Sequence, residues 1–158
     1  MLGTLSPKLI PASIFLLSLK RAGATLSDLV KAYCTFVRPV LEYAAPVWHS
    51  SLSSHQSEQL ERVQRQTLRI FLPEQSYRLS LQSTGLESLY DRRVHLCRAF
   101  ASSLLKSKDF CDWLPPKHKQ CHSRNLRNNN KLSMMTARTN RFANSPIAFF
   151  AKLLNSVD

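Results

Sequence analysis

Glycine is scarce in this chain: Gly3, Gly23 and Gly85 are the only three among 158 residues. Tight turns with positive φ draw on glycine, so an all-β sandwich or barrel is disfavoured. Neither a P-loop nor a dinucleotide-binding fingerprint can be written with so few. Adjacent acids are missing as well. Asp28, Asp91, Asp109, Asp112 and Asp158 form no pair, and none lies in a strand-like apolar run, so the converging carboxylates of two-metal phosphoryl transfer are not expected. Long apolar runs are also lacking. The longest without a charge, residues 9–19, is too short to span a bilayer, and Lys20-Arg21 follows where a signal peptide would need small residues. No membrane partner is expected, and the four widely spaced cysteines, Cys34, Cys97, Cys111 and Cys121, suit an intracellular protein, nuclear or cytoplasmic.

What is present in excess is positive charge. Lys and Arg number 22 against ten Asp and Glu, a net +12, which suits a polyanionic partner. The excess is uneven: residues 111–158 hold eight basic and two acidic groups, or +6.

Apolar periodicity points to helices. Leu9, Ile14, Phe15, Leu17 and Leu19 form one pattern that Gly23 ends, with residues 1–7 reading as a start cut from a longer chain. Ser27-Asp28 opens a second helix whose stripe is Leu29, Tyr33, Phe36, Val37, Val40, Leu41 and Ala44. Pro39 predicts a kink inside it with Arg38 pushed out of the α region, and Pro46 with the serines after it predicts its end. Tyr43 and Trp48 could stack on bases, but on an apolar stripe they read as core.

A third helix begins at Ser54 or Ser57 and reaches Phe71, with Leu60, Val63, Thr67, Ile70 and Phe71 on one face. Arg62, Arg65 and Arg69 take the opposite face. Acid-before-base spacing pairs Glu58 with Arg62 and Glu61 with Arg65, leaving Arg69 alone. A polar joint then leads to Thr84 and Glu87, at capping-box spacing, and to a stripe of Leu86, Leu89, Tyr90, Val94, Cys97, Phe100, Ala101 and Leu104. Arg92, Arg93 and Arg98 read as its wet face. After an irregular stretch, Ser145-Pro146 starts a last helix with Ile147, Phe150, Leu154 and Val157 inward.

The expected fold is therefore all-α: a helical bundle of about five helices with a basic irregular connector before the last helix. Its divisions are a helical bundle over 1–110, the connector over 111–143 and a C-terminal helix over 144–158 that docks on the bundle. Cys111, His118, Cys121 and His122 are zinc-type ligands, but adjacent Cys121 and His122 reach one tetrahedral centre poorly, and no cofactor is expected. His49 and His55 have nothing nearby to complete a catalytic unit.

Two segments carry a resemblance. Arg38-Pro39-Val40-Leu41-Glu42-Tyr43-Ala44-Ala45-Pro46-Val47-Trp48-His49 and Gln59-Leu60-Glu61-Arg62-Val63-Gln64-Arg65-Gln66-Thr67-Leu68-Arg69-Ile70 look like the region after the palm of reverse transcriptases from LINE-type, jockey-like non-LTR retrotransposons. Gly85-Leu86-Glu87-Ser88-Leu89-Tyr90-Asp91-Arg92-Arg93 and Arg138-Thr139-Asn140-Arg141-Phe142-Ala143-Asn144-Ser145-Pro146-Ile147 continue it, so that it spans nearly the whole chain. The resemblance implies a thumb and C-terminal extension that hold RNA or an RNA–DNA template-primer. The metal-binding aspartates of such a polymerase lie in an upstream catalytic segment, so this chain alone is expected to be no enzyme. Arg62, Arg65 and Arg69 are the first candidates for phosphate contact, then Arg138 and Arg141, with Arg124 and Arg127 in the connector. The alternative from another class is a helical protein-interaction module, or a decayed transposon fragment without a nucleic-acid role.

Overall fold

The computed structural model describes residues 9–121, 129–134 and 136–156. The protein is all-α, and among the described residues the only β feature is an isolated antiparallel bridge between Lys117 and Leu132. The helices are α1 (Leu9–Arg21), α2 (Leu26–Ala32), α3 (Arg38–Glu42), α4 (Ala45–Trp48), α5 (Ser54–Phe71), α6 (Tyr77–Thr84), α7 (Leu89–Lys106), α8 (His118–Cys121), α9 (Asn140–Ala143) and α10 (Pro146–Asn155). They form two compact units, one from Met1–Tyr43 with Ser53–Arg92, the other from Ala44–Leu52 with Arg93–Asp158. The division falls inside the 1–110 segment read as one bundle from the sequence.

Spacing explains how α2 and α3 join. The buried residues are Leu29, Tyr33, Val37 and Leu41, one every four positions, where an ideal helix turns every 3.6. A straight α-helix would fan them over about 120°. A π-turn at Tyr33–Val37 absorbs one residue and reduces the drift to about 20°. The same wide turn admits Pro39 without a break, and Arg38 keeps α-helical angles, contrary to the sequence expectation. Phe36 (61 % exposed), Val40 (56 %) and Tyr43 (81 %) then face outward. Their assignment to the core does not hold, because the π-turn rotates the buried stripe away from them. The helix ends at Tyr43 and Ala44, which takes the left-handed φ of 51°, and Pro46 opens α4 instead of closing the helix before it.

Caps fix the other boundaries. Gly23 has φ 85° and ends α1 as expected, although the buried centre of α1 is Leu16, with Ile14 and Phe15 exposed. Thr25, not Ser27, caps α2. Ser53 and Gln56 make a reciprocal capping box on α5. α6 occupies the stretch that reads as a polar joint in the sequence: Ser76 caps its start and Gly85, at φ 67°, its end. The cap of α7 is Ser88, which accepts from the Asp91 amide at 3.1 Å, in place of the Thr84 and Glu87 pair. Ser145 and Pro146 open α10 as read from the sequence.

In the first unit, Leu16, Leu29, Tyr33, Val37, Leu41, Val63, Leu68, Phe71 and Leu89 share one core. In the second, Cys97, Ala101 and Leu104 of α7 meet Leu114 and Phe150, so α10 docks through Phe150. The Phe100 and Phe150 rings meet edge-on, 5.7 Å apart. Cys97 donates weakly to the Ala45 carbonyl at 4.0 Å, and burial pushes its thiol up to about 11, well out of the reactive range.

Candidate nucleic-acid interface

α5 is organised from within by polar groups. Gln64 is buried and fully used: its Oε1 accepts from Tyr33 at 2.8 Å, and its Nε2 donates to Tyr77 Oη at 3.1 Å and to the Glu87 carbonyl at 2.8 Å. Burial raises both tyrosine hydroxyls well above their ordinary range, so both remain protonated donors. Glu61, also buried, accepts from the Tyr77 hydroxyl, from the Leu89 amide at 3.1 Å and from the Tyr90 amide at 3.2 Å. Its carboxylate sits on the positive end of α7, where the first amides lack intrahelical partners.

This corrects the expected ion pairs. Glu61 is not available to Arg65, and Glu58 pairs with Arg65 at 2.9 Å instead of with Arg62. Arg65 also lies 5.1 Å from the centre of the Tyr77 ring. Of the three arginines on this face, Arg65 is therefore occupied, while Arg62 and Arg69 are exposed and have no ion pair among the described residues. Seven residues apart, they lie on the same side of α5 and about 10 Å apart along its axis. Lys20 is not a free cation either: its ammonium donates to the Ile70 and Phe71 carbonyls at 2.6 and 3.2 Å, closing the C-terminus of α5.

Further along the first unit, Arg38 and Arg92 both approach Glu42 Oε1, at 3.7 and 3.4 Å. In the second unit Arg138 and Arg141 are exposed. Arg141 lines a cleft of about 400 Å³ with Ser51, Thr139, Phe142 and Ser145. Arg124 and Arg127 lie outside the described residues, as does His122. Among the described residues no three His, Cys, Asp or Glu side chains gather as a metal site requires, and no helix is long and apolar enough to cross a membrane.

Arg93 departs furthest from the sequence reading. The sequence pattern puts it on the wet face of α7, yet it is 0 % exposed. Its Nε donates to His49 Nδ1 at 3.3 Å, and its guanidinium carbon lies 6.0 Å from the centre of the Trp48 ring. Phe149 packs 5.3 Å from the His49 ring. The signal was available: Leu89, Arg93, Cys97 and Ala101 are spaced four apart on the buried stripe, but the charge argued against counting Arg93 in it.

Burial, and then the Arg93 charge, hold His49 below its ordinary value, so it accepts from Arg93 as a neutral ring. A depressed folded-state value means that stability is full above the unfolded value near 6.5 and falls as the pH drops below it, by at most about 1.4 kcal/mol per pH unit. Urea midpoints measured from pH 7.5 to 5 should therefore decline more steeply for the native protein than for His49→Asn, which keeps an acceptor but cannot protonate. Equal slopes would show that His49 carries no such linkage.

The fold and the α5 surface define an all-α protein with two exposed arginines, Arg62 and Arg69, that have no ion pair among the described residues. No family model matches the sequence, and no curated protein or solved structure matches it.

Proposed function

We propose that this chain is a non-catalytic nucleic-acid-binding segment, like the thumb and post-thumb region of a LINE-type reverse transcriptase, which holds an RNA or RNA–DNA template-primer by its phosphates. Such a segment would work beside a catalytic reverse-transcriptase portion that carries the metal-binding aspartates. The observation that carries the reading is on α5: Glu61 is buried against the start of α7 and Glu58 pairs with Arg65, so Arg62 and Arg69 are left without an ion pair among the described residues. The net +12 supports it, as does the resemblance over nearly the whole chain.

Contacts of this kind ignore sequence and release counterions. Binding of an RNA–DNA hybrid should weaken steeply as salt rises. Replacing Arg62 and Arg69 together by Gln should flatten the plot of log affinity against log salt by about 1.4 to 1.8, at roughly 0.7–0.9 per lost phosphate contact. Unchanged affinity and slope would refute the assignment of these two residues. A second reading, a helical protein-interaction module, is favoured by the exposed Phe36, Val40 and Tyr43; it expects no salt-dependent nucleic-acid binding at all.

A further inference from the structure

Arg38 of α3 and Arg92 of α7, far apart in sequence, line one cavity of about 150 Å³ in the first unit. That is room for roughly five waters at about 30 Å³ each, or for one phosphate group. Most of its wall has no donor to give. Leu86 and Leu89 are apolar, and both N–H groups of the Gln64 amide already go to Tyr77 and the Glu87 carbonyl. The Gly85 and Leu86 amides are taken by the Gln82 and Leu81 carbonyls at the end of α6.

The two arginines differ from this wall. Each meets Glu42 through its Nε, at 3.7 and 3.4 Å, beyond the ordinary length of a hydrogen bond. Glu42 Oε1 and Arg92 Nε are buried there without one. The terminal nitrogens carry most of the N–H donors of a guanidinium, and on neither arginine do they have a hydrogen-bond partner among the described residues. Glu87, exposed, also lines the cavity and pairs with neither arginine. With Glu42 and Glu87 counted, the four side chains balance in charge. What is unmet is hydrogen bonding, and it calls for acceptors.

Guanidinium forks match the paired oxygens of an oxyanion. Two forks reaching one cavity from different helices need acceptor oxygens in more than one direction. A tetrahedral phosphate supplies them, and a flat carboxylate does not.

We propose that Arg38 and Arg92 form a pocket for a single phosphate group, borne by a small molecule such as a nucleotide or by the end of a nucleic-acid strand. The pocket uses none of the α5 arginines and stands or falls without them.

The test titrates the full chain with inorganic phosphate by calorimetry, at constant ionic strength and in a buffer free of other oxyanions. One saturable site per chain is expected. Arg92→Gln should weaken it about 10- to 100-fold, the range of one hydrogen bond to a charged group, and Arg92→Lys, which keeps the charge but loses the fork, should recover only part. Replacing Arg62 and Arg69 together by Gln should leave it unchanged, which separates a built pocket from general attraction to a basic chain. Glu87→Gln should act in the opposite sense and tighten phosphate binding about 3- to 10-fold, because it removes a like charge from the wall. That exposed substitution keeps the proposal testable if the Arg92 variants do not fold. Two further ligands identify the source of the phosphate. If a small molecule is the ligand, uridine monophosphate competes with inorganic phosphate and a 5′-phosphate adds nothing to the affinity of an oligouridine. If a strand end is the ligand, the 5′-phosphorylated oligouridine binds more tightly than its 5′-hydroxyl form, and Arg92→Gln erases the difference. The pocket is overturned if no saturable site exists, if a folded Arg92→Gln binds phosphate as the native chain does, or if Glu87→Gln leaves the affinity unchanged. None of these results touches the reading of α5, which rests on the salt dependence of hybrid binding.

Discussion

Replacing Glu61 by Ala should cost about 3–5 kcal/mol of folding stability, read as a fall in the urea midpoint of the first unit. Three donors converge on this buried carboxylate, the Tyr77 hydroxyl and the amides of Leu89 and Tyr90. Truncation leaves all three without an acceptor, at about 1–3 kcal/mol for each buried unsatisfied group, and removes the anion from the N-terminus of an 18-residue helix. Relaxation and entering water offset part of the sum. Glu61→Gln keeps one carbonyl acceptor but turns an amide toward donors, so about 1–2 kcal/mol is expected from it. Glu58→Ala is the control. Its carboxylate is exposed and pairs with Arg65 at the surface, so its loss should cost under about 1 kcal/mol. If Glu61→Ala and Glu58→Ala proved equal, Glu61 would not be the group that fixes the start of α7.

Arg93→Ala should destabilise the second unit by a similar amount, about 3–5 kcal/mol. The change deletes a large, fully buried side chain, opens a cavity beside Trp48 and leaves His49 Nδ1 without this donor. Arg93→Lys should not rescue it, since an ammonium offers neither the Nε position nor a flat face to the indole. Arg93→Met separates charge from volume: it refills much of the space and avoids burying an ion, so its expected cost is about 1–2 kcal/mol. A Met variant as unstable as the Ala variant would show that the guanidinium's hydrogen bonds, and not its packing, hold this site.

Much of the secondary structure was legible in the residues, for identifiable reasons. Gly23 and the Ser145-Pro146 pair are local signals, and each ends or starts a helix where the sequence says it should. The face of α5 formed by Val63, Thr67 and Phe71 is buried, as its 3.6-residue period requires. Pro46 misled because a proline that cannot continue one helix is well suited to start the next. α6 leaves little trace in the sequence pattern because Tyr77–Thr84 is short and mostly polar, so that its caps outweigh its pattern.

The candidate site was less legible. Helical periodicity reports the angle of a side chain about its own axis, which sufficed to place Arg62, Arg65 and Arg69 on one face. It does not report what another segment brings to that face. Glu61 was assigned to Arg65 four residues away, but its partners are 28 and 29 residues away. Tyr43 and Phe36 were counted as core because the π-turn, which shifts the phase of the helix between Tyr33 and Val37, leaves no separate mark in the pattern.

By itself, then, the sequence determined an all-α chain with a large positive excess and little capacity for phosphate loops or paired metal-binding acids, because composition and short-range spacing decide these matters. Only the tertiary structure decided which charges are spent and which are free. Arg93 is buried against His49, Arg65 is held by Glu58 and Tyr77, and Lys20 closes α5, while Arg62 and Arg69 remain open. The physical reason is that a charge is neutralised by whatever folds beside it, and most of these neighbours are distant along the chain.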